Sequence, residues 1–188
     1  MKKSFGAKPL AFPLPAYLVG TYDESSKPNI ITSAWAGILA SNPPCLGVSL
    51  RPARYSHAAI VKNQAFTVNF PSSKLLAAVD FAGIVSGKNV DKFKDAALTP
   101  IKSDLVNAPY VDECPVVAEC RLYKTLELGS HTLFVGEILD IKADEEVILG
   151  AILDIEKIDP LVFNYGGHYH KVGGPVGKGF SIGKSLIK

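Results

Sequence analysis

Residues able to do polar chemistry lie along the chain in short groups, each at one end of an apolar run. Thr32, Ser33 and Trp35 close one run, and Ser49 and Arg51 close another. Arg54, Ser56 and His57 open a helix-like stretch, Asn69 ends a strand-like one, Lys88 and Lys92 flank a short helix, and His131 opens a further strand. Hydroxyls at a helix start hold a phosphate and cations offset its charge, while the bare backbone of a strand of small residues lets ring heteroatoms reach its amides. Together the groups suit a phosphorylated ligand that carries a flat, amphipathic ring. Singly, each has an ordinary structural role open to it. Ser56 reads equally as a helix N-cap, Trp35 as core, Arg51 as a surface cation and His131 as a strand-end residue satisfied by its neighbours.

Other chemistries fit the sequence less well. Gly183-Lys184-Ser185 has the ending of a phosphate-binding P-loop, but the required first glycine falls at Lys178 and too few residues follow to build the helix that would face the phosphate. No G-x-G-x-x-G stands between a strand and a helix, so a Rossmann dinucleotide site is not expected. His168 and His170 would share one face of an extended segment, yet no third ligand is patterned beside them, and a solvated loop is the better reading; no metal is assigned. Asp144, Glu145 and Glu146 read as a solvated turn. Cys45, Cys114 and Cys120 are odd in number and unpatterned, which suits buried thiols in a reducing cytoplasm rather than a disulfide framework or an iron–sulfur site.

The elements that must position these groups are mostly strands. Apolar runs broken by Gly, Pro, Asn and Asp predict strands at 15–21, 28–33, 45–50, 65–70, 116–128 and 131–143, and hence a barrel or sandwich. Val116, Ala118, Cys120 and Leu122 alternate with Val117, Glu119, Arg121 and Tyr123, and Leu133, Val135, Leu139 and Ile141 share one parity. Leu128-Gly129-Ser130 predicts a hairpin turn between these two strands, and the polar run DESSK at 23–27 predicts another between the first two. Short helices are expected after Ser56, ending near Asn63; after Ser72 or Ser73, ending at Gly83; and over 90–97. Seven of the eighteen residues from Gly166 to Gly183 are glycine, so this tail, 166–188, is either loose or held by a surface elsewhere.

At 188 residues, with no internal repeat or linker, the chain is expected to form a single domain with a real core. A net charge of +2 carries no broad basic field, so nucleic acid and anionic membrane are poor partners and a small molecule a better one. Pro9, Pro13 and Pro15 interrupt the N-terminal apolar stretch, which therefore reads as mature protein rather than a secretory signal. No apolar run approaches the roughly 18 residues of a membrane span, and a cytoplasmic protein is expected.

NIITSAWAGILASNPPCLGVSLRPARYSH, followed by AFTVNFPS, AVDFAGIVSGKNVDKF and GSHTLFVGEI, resembles the flavin reductase-like family of FMN-binding split barrels, in particular its flavoredoxin branch. The resemblance runs from about Pro13 to Tyr165. It implies a mainly β fold, a split β-barrel of Greek-key-like order with a few short helices. It further implies that Asn29, Thr32, Ser33, Ala34 and Trp35 line the isoalloxazine and ribityl chain of FMN, with Ser49, Leu50 and Arg51 continuing the pocket. Ser56 and His57 would meet the phosphate, with Arg54 beside them, while Lys92 and His131 approach the flavin from neighbouring loops together with Tyr165. Small residues from Thr32 to Ala34 would bring backbone amides to the flavin edge, and a cation such as Lys92 would favour its reduced, anionic form. Chemistry would be carried by FMN with no catalytic side chain. NADH or NADPH would be the electron donor, and a free flavin, a metal complex or a protein the acceptor. A flavoredoxin-type carrier reduced by a protein donor is the alternative reading, and a non-catalytic flavin or haem binder a third. The resemblance also implies a homodimer with FMN near the subunit interface.

Overall fold

A computed structural model describes residues 1–187 of the chain. In chain order the strands are β1 (Leu14–Pro15), β2 (Tyr17–Tyr22), β3 (Pro28–Ser33), β4 (Ala36–Ser41), β5 (Pro44–Leu50) and β6 (Ala65–Phe70). They continue with β7 (Pro100–Lys102), β8 (Pro109–Val111), β9 (Val116–Leu128), β10 (His131–Ala143), β11 (Ile148–Leu149), β12 (Ile152–Leu153), β13 (Leu161–Phe163) and β14 (Tyr169–Lys171). Four short helices, α1 (Tyr55–Asn63), α2 (Leu76–Ile84), α3 (Lys92–Asp95) and α4 (Ile155–Ile158), fill the connections.

Seven strands form one antiparallel sheet in the order β3-β2-β6-β9-β10-β5-β4. The sheet curls around Val19, Val48, Phe66, Val68, Ala118, Cys120 and Phe134, all fully or almost fully buried. A second core, under α2, gathers Leu18, Ile30, Val79, Phe93, Val111 and Val117. The alternation in β9 therefore does not separate a dry face from a wet one. From Val116 to Cys120 every residue is buried, because Ala118 and Cys120 enter one core while Val117 enters the other. Glu119 shares that second side with no exposed surface; its carboxylate accepts the Leu105 N–H at 3.1 Å and lies 3.4 Å from the Lys142 Nζ.

In β10 the aliphatic parity, Leu133, Val135, Leu139 and Ile141, is the more exposed one. Thr132, Phe134 and Gly136 turn inward instead. Gly136 is required sterically, since a Cβ there would lie 2.5 Å from Phe66 Cζ and 2.8 Å from Cys120 Cβ. The β9–β10 hairpin closes as expected through Gly129-Ser130, with Leu128 paired to His131 and Gly129 at φ +60°, a conformation that favours glycine.

Several sequence expectations need correction. Ser56 does not cap α1: the helix starts at Tyr55 after Arg54, which has extended backbone angles and no side-chain cap, and the Ser56 hydroxyl accepts from Asn29 Nδ2 at 2.8 Å. The stretch after Ser72 opens with a 3₁₀ turn, Ser73–Leu75, before α2, and Ser73 is engaged by Asp159 instead of capping. The third helix shrinks from 90–97 to Lys92–Asp95, where Asp91 accepts the Lys94 N–H and stops it extending backwards. Asn69 is structural: its amide donates to the Leu18 carbonyl and its oxygen accepts the Val111 N–H, both at 2.8 Å. The glycine-rich tail is held at its root, where β14 pairs with β13, and exposed beyond it. No helix among the described residues is long and apolar enough to cross a membrane.

Candidate functional site

The sheet leaves β3 as an edge, and β5 runs past it without pairing, so the barrel is split there. The split opens into a cavity of about 240 Å³ lined by Ile31, Thr32, Ser33, Ala34, Trp35, Ser49, Leu50, Arg51, Arg54 and His131. An edge strand presents unpaired N–H and C=O groups. Here small side chains leave that backbone accessible. The Thr32 hydroxyl is turned away to donate to the Val79 carbonyl of α2, and Ala34 has only a methyl group. The Ser49 N–H is bonded to the Trp35 carbonyl at 2.8 Å, which fixes the far wall against the near one. At the mouth the Trp35 ring, 37% exposed, stacks on His131 with centroids 4.5 Å apart and planes 34° apart. Burial, then the charges of Arg51 and Arg54, hold the His131 imidazole below its ordinary pKa.

A second cavity of about 120 Å³ adjoins the first at Ile31 and Arg54. Its walls come from the start of α1, with Arg54, Tyr55 and Ser56; from the end of α2 and the loop beyond it, with Gly83, Ser86 and Gly87; and from Lys92. Lys92 is 4% exposed, and its Nζ donates to the Ala82 carbonyl at 2.7 Å. Burial, and then Arg54, bring its pKa down from 10.5 to about 8. The first turn of α1 has neither a side-chain cap nor an acidic residue, so its amide dipoles face the cavity uncompensated. Among the described residues no carboxylate lines either cavity. Behind Ser56, Asn29 is buried with Oδ1 lacking a partner, and Gly87 lies so close that a Cβ there would come within 2.1 Å of that oxygen.

The structure thus brings together Thr32, Ser33, Ala34, Trp35, Ser49, Leu50, Arg51 and His131 around one cavity, and Ser56 and Lys92 around the next, with Asn29 behind them. It does not bring His57 to either. That ring packs edge-on against Phe134 at 4.9 Å, with Nε2 2.8 Å from the Thr132 hydroxyl, which in turn donates to Glu127. Tyr165, 49% exposed between β13 and β14, lines neither cavity, and nor does Lys88. His170 contacts the Asn164 amide at 3.0 Å. Ser86 and Gly87 are wall residues without an assigned role in the sequence reading; the signal was present as the small pair within IVSGKN, next to a predicted helix end. The three cysteines are free and buried, and burial pushes the Cys120 thiol up to about 12.

A curled antiparallel sheet split beside a cationic, carboxylate-free cleft defines a split-barrel ligand-binding protein. Comparison with known proteins sharpens that class. Residues 10–173 match the model of the flavin reductase like domain, and the chain belongs to that family. Among solved structures, flavoredoxin of Desulfovibrio vulgaris (Miyazaki F) superposes with a TM-score of 0.93 at 46% identity, covering 97% of this chain and 100% of that one. Flavoredoxin from Methanosarcina acetivorans gives 0.91 at 33% identity, with 99% and 100% covered. An uncharacterised protein of Archaeoglobus fulgidus is 40% identical over 130 residues, 69% of this chain and 72% of its own.

The residues present fit a flavin mononucleotide. Two cations and an open helix start with no counter-charge call for a dianion. The adjoining edge strand offers amides to a flat heterocycle, and Trp35 supplies an aromatic face at the mouth.

Proposed function

We propose that the cleft binds FMN and that the protein is a flavin-dependent oxidoreductase that takes electrons from NADH or NADPH and delivers them to a free flavin, a metal complex or a protein. The observation that carries this reading is the pairing of a carboxylate-free cavity, walled by Arg54, Lys92, Ser56 and the start of α1, with an adjoining edge strand of small residues. When bound, FMN supplies the two-electron chemistry. The chain's own groups then bind and orient. Arg54 and Lys92 neutralise the phosphate, and Ser56, fixed by Asn29, offers a hydroxyl to it. The Thr32–Ala34 backbone sets the height of the ring in the cleft. Trp35 and His131 leave one side of the larger cavity open to a second reactant.

Titration of apoprotein with FMN, FAD and riboflavin tests the first half. FMN binds at micromolar concentration, and riboflavin, lacking the phosphate, binds at least about a hundredfold more weakly, the loss of two charge-assisted contacts. Equal affinity for FMN and riboflavin refutes the phosphate assignment. Anaerobic mixing of the loaded protein with NADH and NADPH tests the second half, since reduction no faster than that of free FMN removes nicotinamide from the scheme. In that event the alternative, a carrier reduced by a low-potential redox protein, is supported by the 46% identity to a flavoredoxin across nearly the whole chain. The family resemblance also supports a homodimer.

A further inference from the structure

A larger, apolar cavity shares no lining residue with the two cavities of the cleft, and a pocket lined by Leu14, Ala34, Trp35 and Ala36 lies between. The larger cavity measures about 550 Å³ and is walled by Leu14, Phe70, Val116, Ile141, Leu153 and Ile155 among others, with Val172 on its rim. From that rim the chain leaves as an arm, residues 173–187, whose every hydrogen bond among the described residues is internal, as in Ile182 N–H to the Lys178 carbonyl at 3.1 Å. Val176 and Phe180 are fully exposed, and Ile182 and Leu186 largely so. Isolated exposed apolar residues are ordinary, but these four together with Ile187 on one short arm beside an apolar groove call for a partner.

Charge points the same way. The arm contains Lys178 and Lys184 and no acidic residue. The segments flanking the groove carry Asp144, Glu145, Glu146, Asp154 and Glu156, and among the described residues none of these is paired with a cation. Asp144 is held above its ordinary pKa chiefly by desolvation, with smaller contributions from Asp112 and Glu146. The arm's root is fixed to its own chain through β13–β14 pairing and the Lys171–Asp159 ion pair at 3.0 Å, and the residues beyond it are exposed. Exposed apolar residues also lie on β4, β11 and β12, with Ile38, Leu39, Ile148, Leu149 and Ile152.

We propose that the C-terminal arm of one copy docks in the apolar groove of a second copy, with its lysines against the acidic rim, in a reciprocal exchange that ties two chains together. Each copy gives an arm and receives one, so the contact closes after two subunits. The claim is independent of the flavin assignment and goes beyond a homodimer, which needs no arm.

The test uses the full chain with p-benzoylphenylalanine placed at Phe180, mixed as light and nitrogen-15-labelled protein and irradiated after subunit exchange. Crosslinked peptides that join an arm of one isotope to the groove wall of the other, within 141–162 or 13–17, support the exchange. Crosslinks confined to one copy, or mapped off the groove, overturn it. Deleting 174–188 should weaken self-association by at least about tenfold in sedimentation equilibrium. A truncated chain whose dimer constant stays within about twofold of the parent overturns the arm exchange and leaves the dimer standing. A full-length chain that sediments as a monomer overturns both, and flavin titration of the same samples reports the cleft separately.

Discussion

Replacing Lys92 by methionine separates two consequences of a buried cation. The side chain is 4% exposed, and its ammonium has a pKa of about 8 where an unfolded lysine has 10.5. The native chain therefore releases this proton near pH 8 while the unfolded chain keeps it to about 10.5. Across that window the unfolded state binds more protons, so stability rises with pH; below it, the folded chain carries the charged group at full cost. Integrated between about pH 7 and 10, the gain is about 2–3 kcal/mol, or about 1 M in urea midpoint for a slope of about 2 kcal/mol/M. Lys92→Met fills similar space without the charge and has no such step. Urea melts of apoprotein and variant at both pH values give the answer as a difference, in which the tyrosines and other titrating groups cancel. Wild type should gain about 2–3 kcal/mol on the variant; a gain below about 1 kcal/mol would mean that Lys92 titrates normally, and the account of a dry cationic cavity would fail. Binding reverses the preference. A phosphate beside Nζ favours the charged form, so wild-type affinity for FMN should fall above about pH 8, by up to about tenfold per unit, while that of Lys92→Met is weaker and flat.

Arg54→Ala should cost FMN about ten- to a hundredfold in affinity and leave riboflavin within about twofold, as read by fluorescence quenching, because Arg54 lines the anionic end. Ala34→Leu should leave the urea midpoint almost unchanged, since the residue lines the cavity rather than the core, and weaken FMN by at least about a hundredfold. Gly136→Ala should do the opposite: the new Cβ, 2.5 Å from Phe66, overpacks the barrel by about 1–3 kcal/mol in denaturant melts, while FMN affinity per folded molecule is kept.

What was legible in the sequence follows from how local each decision is. The ends of β3, β6, β9 and β10 coincide with the expected runs, because turn residues such as Gly129 and the DESSK loop punctuate long stretches of strand-forming side chains. β4 went unread: Ala36–Ser41 has no alternation, Ile38 and Leu39 are both exposed, and the strand exists only as an edge paired to β5. At Ser56 a local rule lost to a distant need, since its hydroxyl serves as acceptor for the buried amide of Asn29, 27 residues earlier. Ser56 and His57 were expected to face one phosphate. His57 points about 100° round the helix from Ser56, and its contact with the Thr132 hydroxyl holds it away from the cavity. Gly83 joins the wall through the docking of α2, which no spacing along the chain encodes, whereas Ser86 and Gly87 are marked by their small size within IVSGKN.

The same curled sheet leaves two edges open, β3 and β4, and the residues beside each decide what it can meet. Open strand edges invite promiscuous pairing, and proteins usually blunt them with charge, proline or cover. At β3 the flanking groups are small, hydroxylated and cationic, which suits a flat ring with an anionic tail. At β4 the flanking groups are Ile38 and Leu39, with an apolar groove close by at Ala36, while Lys8 lines a neighbouring pocket with the same Ala36. On the proposed readings the first edge meets a small ligand and the second a further copy of the chain. The division predicts that substitutions around β3 change flavin affinity at constant association state, and that substitutions around β4 and the groove change association at constant intrinsic affinity for flavin.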